Sequence, residues 1–218
     1  MNRALEYAKQ IAYSTEETLM FTYEMAKKYA DSPGCYVECG TAAGAQVIAM
    51  RAGSPKKNIQ VFDSFEGLPL PSNRDDQMPG IAFLTKEEQM ALPDPGKQEL
   101  ISTGAVSVST KDFWGHIEKS GLSKLNIGLN IGWFEETVPK WEPRPISILR
   151  LDGDLYNSTY VCMRWLYPYV IKGGVLIIDD WQLQGCRDAV YDYFKEIIEV
   201  HPFPFFKFVS NIAYWIKP

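Results

Sequence analysis

Residues 146–180 read ISILRLDGDLYNSTYVCMRWLYPYVIKGGVLIIDD, and this stretch holds the repeating unit of the fold. Residues 146–151 form a short apolar run that stops at two carboxylates, Asp152 and Asp154. A second apolar run at 175–178 stops at two more, Asp179 and Asp180. Between them, residues 158–170 carry the spacing of a helix. Two Val/Ile/Leu-rich strands joined by a helix imply neighbours in a parallel sheet covered on both faces.

The same alternation extends outward. Toward the C-terminus a helix is expected over 186–200, then strands at 205–209 and 213–216, joined so closely that they must be antiparallel. Toward the N-terminus the pattern predicts strands at 35–39, 59–62, 105–108 and 125–131, with helices at 45–51 and 111–119. Residues 1–34 carry two helical stripes and read as a cap. Residues 66–104 are rich in Pro and acids, with one short helix at 85–91, and read as an insertion or lid. The expectation is one α/β domain over 1–218: a doubly wound, Rossmann-like sheet, mostly parallel, with an antiparallel C-terminal strand and N-terminal helices.

Composition narrows the function. Of 218 residues 46% are apolar and 13% aromatic, enough for a sizeable core. A net charge of -5 without a long basic run gives no electrostatic footprint for nucleic acid or an anionic membrane. The opening residues, MNRALEYAKQIAY, lack the apolar core of a signal peptide, so a cytoplasmic location is expected. Cys35, Cys39, Cys162 and Cys186 show neither CxxC nor zinc spacing and read as reduced packing residues. Lys27, Lys28, Lys56 and Lys57 read as solvated surface, and His116 and His201 as surface or capping residues.

In a doubly wound sheet, ligands gather beyond the carboxyl ends of the strands. After the first strand stands Glu38-Cys39-Gly40-Thr41-Ala42-Ala43-Gly44. Gly40 and Gly44 permit a sharp turn and a close approach of backbone to ligand. The spacing is not the G-x-G-x-x-G dinucleotide fingerprint, and an acid two residues before the glycine suits a cationic ligand group. Asp63, at the second strand end, offers an acceptor for ribose hydroxyls. The stronger signal is the four aspartates. Were their strands neighbours, the charges would repel by roughly 4 kcal/mol per close pair at an effective dielectric near 20. A bound cation removes that cost, and oxygen ligands without a histidine cluster favour Mg²⁺, Mn²⁺ or Ca²⁺ over zinc. Helix capping is the bland alternative for Asp154 and Asp180. Trp133, Phe134 and Trp181 follow strand ends, where a planar ring could stack; core packing is their default role.

Five blocks in order, VECG (37–40), DSFEGLP (63–69), GWFEETVP (132–139), RLDGDLYNST (150–159) and GGVLIIDDW (173–181), resemble the macrocin O-methyltransferase family. That resemblance implies the class I methyltransferase fold with a seven-stranded sheet, S-adenosyl-L-methionine and Mg²⁺. It also implies a hydroxylated small-molecule acceptor, a glycoside or glycosylated natural product, and a homodimer or larger assembly. By the same resemblance Glu38 would hold the methionine ammonium and Gly40 would lie beneath the methionine. Asp63 would take the ribose, Trp133 and Phe134 would border the adenine, and Asp152, Asp179 and Asp180 would hold the metal. Thr41, Gly44, Gln46, Ser64 and Asp152 complete the expected cofactor set, and Asp152 and Asp154 are the expected catalytic pair, with Asp154 as base. The family's small pair after the second glycine is replaced here by Ala45-Gln46. A rival reading takes Asp152-Gly153-Asp154 as the D-x-D of a metal-dependent nucleotide-sugar glycosyltransferase. It leaves the glycine turn and Asp179-Asp180 without a role.

Overall fold

A computed structural model describes residues 3–78, 82–97, 99–198 and 203–218. Two helices, α1 (Arg3–Ile11) and α2 (Glu16–Lys28), precede β1 (Cys35–Cys39), α3 (Ala45–Gly53) and β2 (Ile59–Asp63). The proline-rich stretch holds a two-stranded ribbon, β3 (Gln77–Met78) and β4 (Ala82–Phe83), and the short α4 (Lys86–Ala91). Then come α5 (Thr110–Lys119), β5 (Ile127–Ile131), α6 (Phe134–Thr137), β6 (Ile146–Leu151) and α7 (Tyr156–Leu166). The chain closes with β7 (Val170–Ile178), α8 (Gln184–Glu196), β8 (Lys207–Val209) and β9 (Ile212–Ile216).

Seven strands form one sheet in the order β5-β2-β1-β6-β7-β9-β8. The first five run parallel; β9 is antiparallel to both β7 and β8. Every residue of β1 and β6 is buried, because helices cover both faces. The period of two in each strand divides the core. Tyr36, Ile148, Val175 and Ile177 face α1, α2, α3 and α5, while Val37, Leu149, Leu151 and Leu176 face α7 and α8. All four cysteines are free and buried, as their packing role requires.

Several expectations need correction. Residues 105–108 form no strand: Val106 adopts a left-handed φ of 56°, which ends the extended run, and the Ala105 carbonyl accepts from the Leu68 N–H. The helix expected to reach residue 170 ends at Leu166, because Pro168 has no N–H to continue it; a single 3₁₀ turn follows and Val170 already belongs to β7. Strand β5 starts two residues late, after Asn126 in the left-handed region (φ 62°). Lys57 is buried, its ammonium hydrogen-bonded to the carbonyls of Tyr29, Ala30 and Ser32 at the end of α2. His116 shares a hydrogen bond of 2.7 Å with the Tyr7 hydroxyl; the helix expected to reach residue 200 ends at Glu196, and His201 lies outside the described residues. Among the described residues no helix is long and apolar enough to cross a membrane.

Candidate active site

The strand order brings the ends of β2, β1, β6 and β7 side by side, and backbone bonds carry the register past each end. The Gly40 N–H donates to Phe62 O (2.9 Å), Asp152 N–H to Cys39 O (2.8 Å) and Asp179 N–H to Leu151 O (2.9 Å). Gly40 has φ +82°, and a Cβ there would stand 1.8 Å from the Asp152 carbonyl oxygen. Only glycine fits between these two strand ends. The turn is clamped by Asp63, whose Oδ2 accepts from the N–H groups of Thr41 (2.7 Å) and Ala42 (3.2 Å) and whose Oδ1 accepts from Phe65 (2.7 Å). Burial pushes the Asp63 carboxyl up, and those three N–H groups pull against it.

A cleft of about 1060 Å³, including space open to solvent, lies over these ends. Gly40, Ala42, Asp63 and Ser64 line one side, and Trp133, Phe134 and Glu135 another. Asp152, Gly153, Asp154, Asp179 and Asp180 form its acidic end. Tyr13, Ser14 and Thr15, between α1 and α2, reach it from the N-terminal cap, and Gly67, Leu68, Pro69 and Val106 from the insertion.

Nine of the expected site residues therefore share one cleft. Four others stand behind its wall. Glu38 is fully buried and paired with Arg150, with its Oε2 lacking a hydrogen-bond partner. Thr41 is buried with its hydroxyl unpartnered. Gly44 precedes α3, where a Cβ would press on the Phe113 ring at 2.8 Å. Gln46 donates from Nε2 to the Ser14 hydroxyl (2.7 Å), fastening the N-terminal cap to α3, and its Oε1 is unpartnered. Trp181 does not line the cleft; it packs on Tyr191, Phe206 and Phe208.

At the acidic end, carboxylate oxygens of Asp152, Asp154 and Asp180 lie within 4.8 Å of one another. Asp154 takes a left-handed φ of 58°, and its N–H donates to Asp180 Oδ2 (3.0 Å). Asp179 turns the other way: its Oδ1 receives Arg150 Nη2 at 2.5 Å, while Arg150 Nη1 reaches Glu38 Oε1 (2.5 Å) and Asp152 Oδ2 (2.8 Å). Burial, then repulsion from Asp152, Asp179 and Asp75, pushes Asp154 up to about 7. Burial likewise raises Asp179 to about 6 against the pull of Arg150, and burial followed by Asp154 and Asp152 raises Asp180. Arg150 touches neither Asp154 nor Asp180. Crowded oxygen ligands with uncompensated charge fit a hard divalent cation.

The helices that follow these strand ends are held by the insertion. Neither Leu155 before α7 nor Leu183 before α8 has a capping side chain. Asp75 Oδ1 instead accepts from the Tyr156 N–H (2.7 Å), and Asp76 Oδ1 from the Gln184 N–H (3.3 Å). Arg74 lies over the Tyr156 ring at 4.4 Å and bridges to Asp192 at 2.8 Å. Sequence reasoning missed Arg150, Glu135 and Asn211. Arg150 had a visible signal, a lone charge in an apolar strand. Glu135, whose buried Oε1 has no partner, lay in plain view in GWFEE. Asn211, lining the cleft from the turn between β8 and β9, had none.

Sheet order, glycine turn and acidic strand ends define a class I methyltransferase fold, which is also that of the solved O-methyltransferase NovP. NovP superposes with a TM-score of 0.74 at 25% identity, covering 95% of this chain and 82% of that one. An O-methyltransferase from Bacillus cereus, at 12% identity and TM-score 0.60, shares the fold over 100% of this chain and 92% of its own. The chain belongs to the macrocin O-methyltransferase family, whose sequence model, Macrocin-O-methyltransferase (TylF), matches residues 23–217. Its relatives include the 8-demethyl-8-(2,3-dimethoxy-alpha-L-rhamnosyl)-tetracenomycin-C 4'-O-methyltransferase of Streptomyces olivaceus, 33% identical over 74% of this chain and 58% of that protein. The mycinamicin III 3''-O-methyltransferase of Micromonospora griseorubida is 28% identical over 74% of this chain and 60% of its own length. The chain thus spans about three fifths of the curated relatives it matches.

Proposed function

We propose that this protein moves a methyl group from S-adenosyl-L-methionine to a hydroxyl of a sugar or glycosylated natural product, with a divalent cation, Mg²⁺ in the cell. The observation that carries this reading is the shared cleft: the Gly40 turn and Asp63 at one end, the carboxylates of Asp152, Asp154 and Asp180 at the other. Family membership and relatives named for methylating glycosides support it.

Asp63, clamped by three backbone N–H groups, keeps lone pairs for the ribose hydroxyls. Gly40 lets the methionine chain lie against the backbone; Glu38, buried behind the cleft wall and paired with Arg150, keeps one unpartnered oxygen as the acceptor its ammonium would have to reach. Trp133 and Phe134 border the adenine, with the unpartnered Oε1 of Glu135 available to the exocyclic amine. Asp152 and Asp180, joined by Asp179, would hold the cation. When bound, it orients the acceptor hydroxyl and makes it more acidic. Asp154, raised toward neutrality, accepts the hydroxyl proton as the new O–CH₃ bond forms and the S–CH₃ bond breaks. The products are a methyl ether and S-adenosylhomocysteine. Alignment of oxygen, methyl and sulfur in one cleft is the protein's main contribution to the rate.

Calorimetry tests the reading directly. S-adenosylhomocysteine should bind and a nucleoside diphosphate should not; the reverse result would establish the glycosyltransferase alternative. Methyl transfer to a panel of rhamnosides should stop in EDTA and return with Mg²⁺. Full activity in chelator would remove the cation from the mechanism.

A further inference from the structure

Arg150 is a cost that the fold alone does not require. It sits in an apolar strand, 1% exposed, directly across from Glu38 on β1 and Ile177 on β7. A buried guanidinium loses several kcal/mol of hydration and must find carboxylates to offset it. One structural partner would suffice, and Glu38, equally buried, is that partner. Yet the same guanidinium reaches two further carboxylates, Asp152 and Asp179, which belong to the cleft. It holds Asp179 away from the group formed by Asp152, Asp154 and Asp180. Three carboxylates thus contact one internal cation, and the two that it holds at the cleft are two of the three proposed metal ligands.

We propose that Arg150 is a resident counter-ion that competes with the divalent cation for Asp152 and Asp179, so that the cation binds by exchange against the guanidinium. This rests on the metal reading given under the proposed function. When a cation enters, Asp179 and Asp152 leave Arg150 for it, and Arg150 keeps Glu38. The exchange weakens the site for metal while keeping its carboxylates ordered and compensated when no metal is present. A purely structural Arg150, propping the ligands in place, predicts the opposite sign. Its removal would loosen the site and weaken metal binding, whereas removal of a competitor tightens it.

The experiment uses Mn²⁺, which is visible by electron paramagnetic resonance and shares the oxygen-ligand preference of Mg²⁺. Free and bound Mn²⁺ are measured in titrations of the full chain, wild type and Arg150→Met, alongside calorimetry with S-adenosylhomocysteine. Loss of a unit positive charge in contact with two ligands should tighten Mn²⁺ by about tenfold or more. Equal or weaker binding by a folded Arg150→Met protein overturns the competition. Should that variant fail to fold, Arg150→Lys keeps the charge, but its single ammonium cannot span Glu38 and Asp179 together. Mn²⁺ should then bind a few-fold tighter than to wild type, and unchanged or weaker binding again overturns the proposal. The two readings fail separately. Wild type that binds S-adenosylhomocysteine but no Mn²⁺ removes the competition and leaves the cofactor site standing. Mn²⁺ tightening in a protein that binds no S-adenosylhomocysteine keeps the exchange and sinks the transferase.

Discussion

Stripped of divalent cations, this protein should lose stability as pH rises from the acid side through neutrality. Asp154 is raised from 3.8 to about 7 by burial and by Asp152, Asp179 and Asp75, and Asp179 to about 6 by burial, against the pull of Arg150, and by Asp152. A carboxyl raised in the folded state binds a proton that the unfolded chain has already released. Between 3.8 and about 7 the native state therefore holds more protons, and stability falls with rising pH across that window. The stabilisation is complete below 3.8 and gone above the folded value. At roughly 1.4 kcal/mol per unit, Asp154 alone contributes about 3 kcal/mol between about pH 5 and pH 8. Asp179 and Asp180 push in the same direction, but as neighbours that repel one another they add less than their separate shifts. Urea unfolding followed by tryptophan fluorescence, in EDTA at several pH values, reads the slope. Excess Mg²⁺ favours the ionised carboxylates and should flatten it. A flat or rising profile in EDTA, or identical profiles with and without Mg²⁺, would show that these carboxylates do not crowd one another as described.

Other perturbations separate the parts of the site. Asp154→Asn should keep S-adenosylhomocysteine binding and Mn²⁺ binding yet slow single-turnover transfer by about a hundred- to ten-thousand-fold; a wild-type rate removes Asp154 as the base. Gly40→Ala places a methyl 1.8 Å from the Asp152 carbonyl in a left-handed conformation. It should cost a few kcal/mol, at least the roughly 1–2 kcal/mol of the backbone strain, and abolish S-adenosylhomocysteine binding by calorimetry, so retained affinity would place the cofactor elsewhere. Asp75→Ala leaves the buried Tyr156 N–H unpaired, which should lower unfolding free energy by about 1–3 kcal/mol. Unchanged urea midpoints would show that the insertion does not cap α7.

How much of this could be read in advance depended on the range of the interaction. Strands such as 146–151 announce themselves because burial on both faces demands a largely apolar run, and the acids at their ends stand out against it. The 105–108 expectation failed because Val-Ser-Val alternation is a local pattern, whereas the left-handed Val106 and the Ala105 carbonyl bonded to Leu68 answer to a segment far earlier in the chain. The acidic end shows the same division. Convergence of four aspartates followed from strand order, but their facing did not, because Asp179 is aimed by a guanidinium on the neighbouring strand. That guanidinium was nonetheless legible in kind. A lone Arg in ISILRL obliges an acid on the same face of an adjacent strand. Glu38 is the only acid in β1, and parallel pairing sets it opposite Arg150. The exception to the apolar rule was therefore as informative as the rule. It points to a place in the core where charge stands directly beneath the cleft.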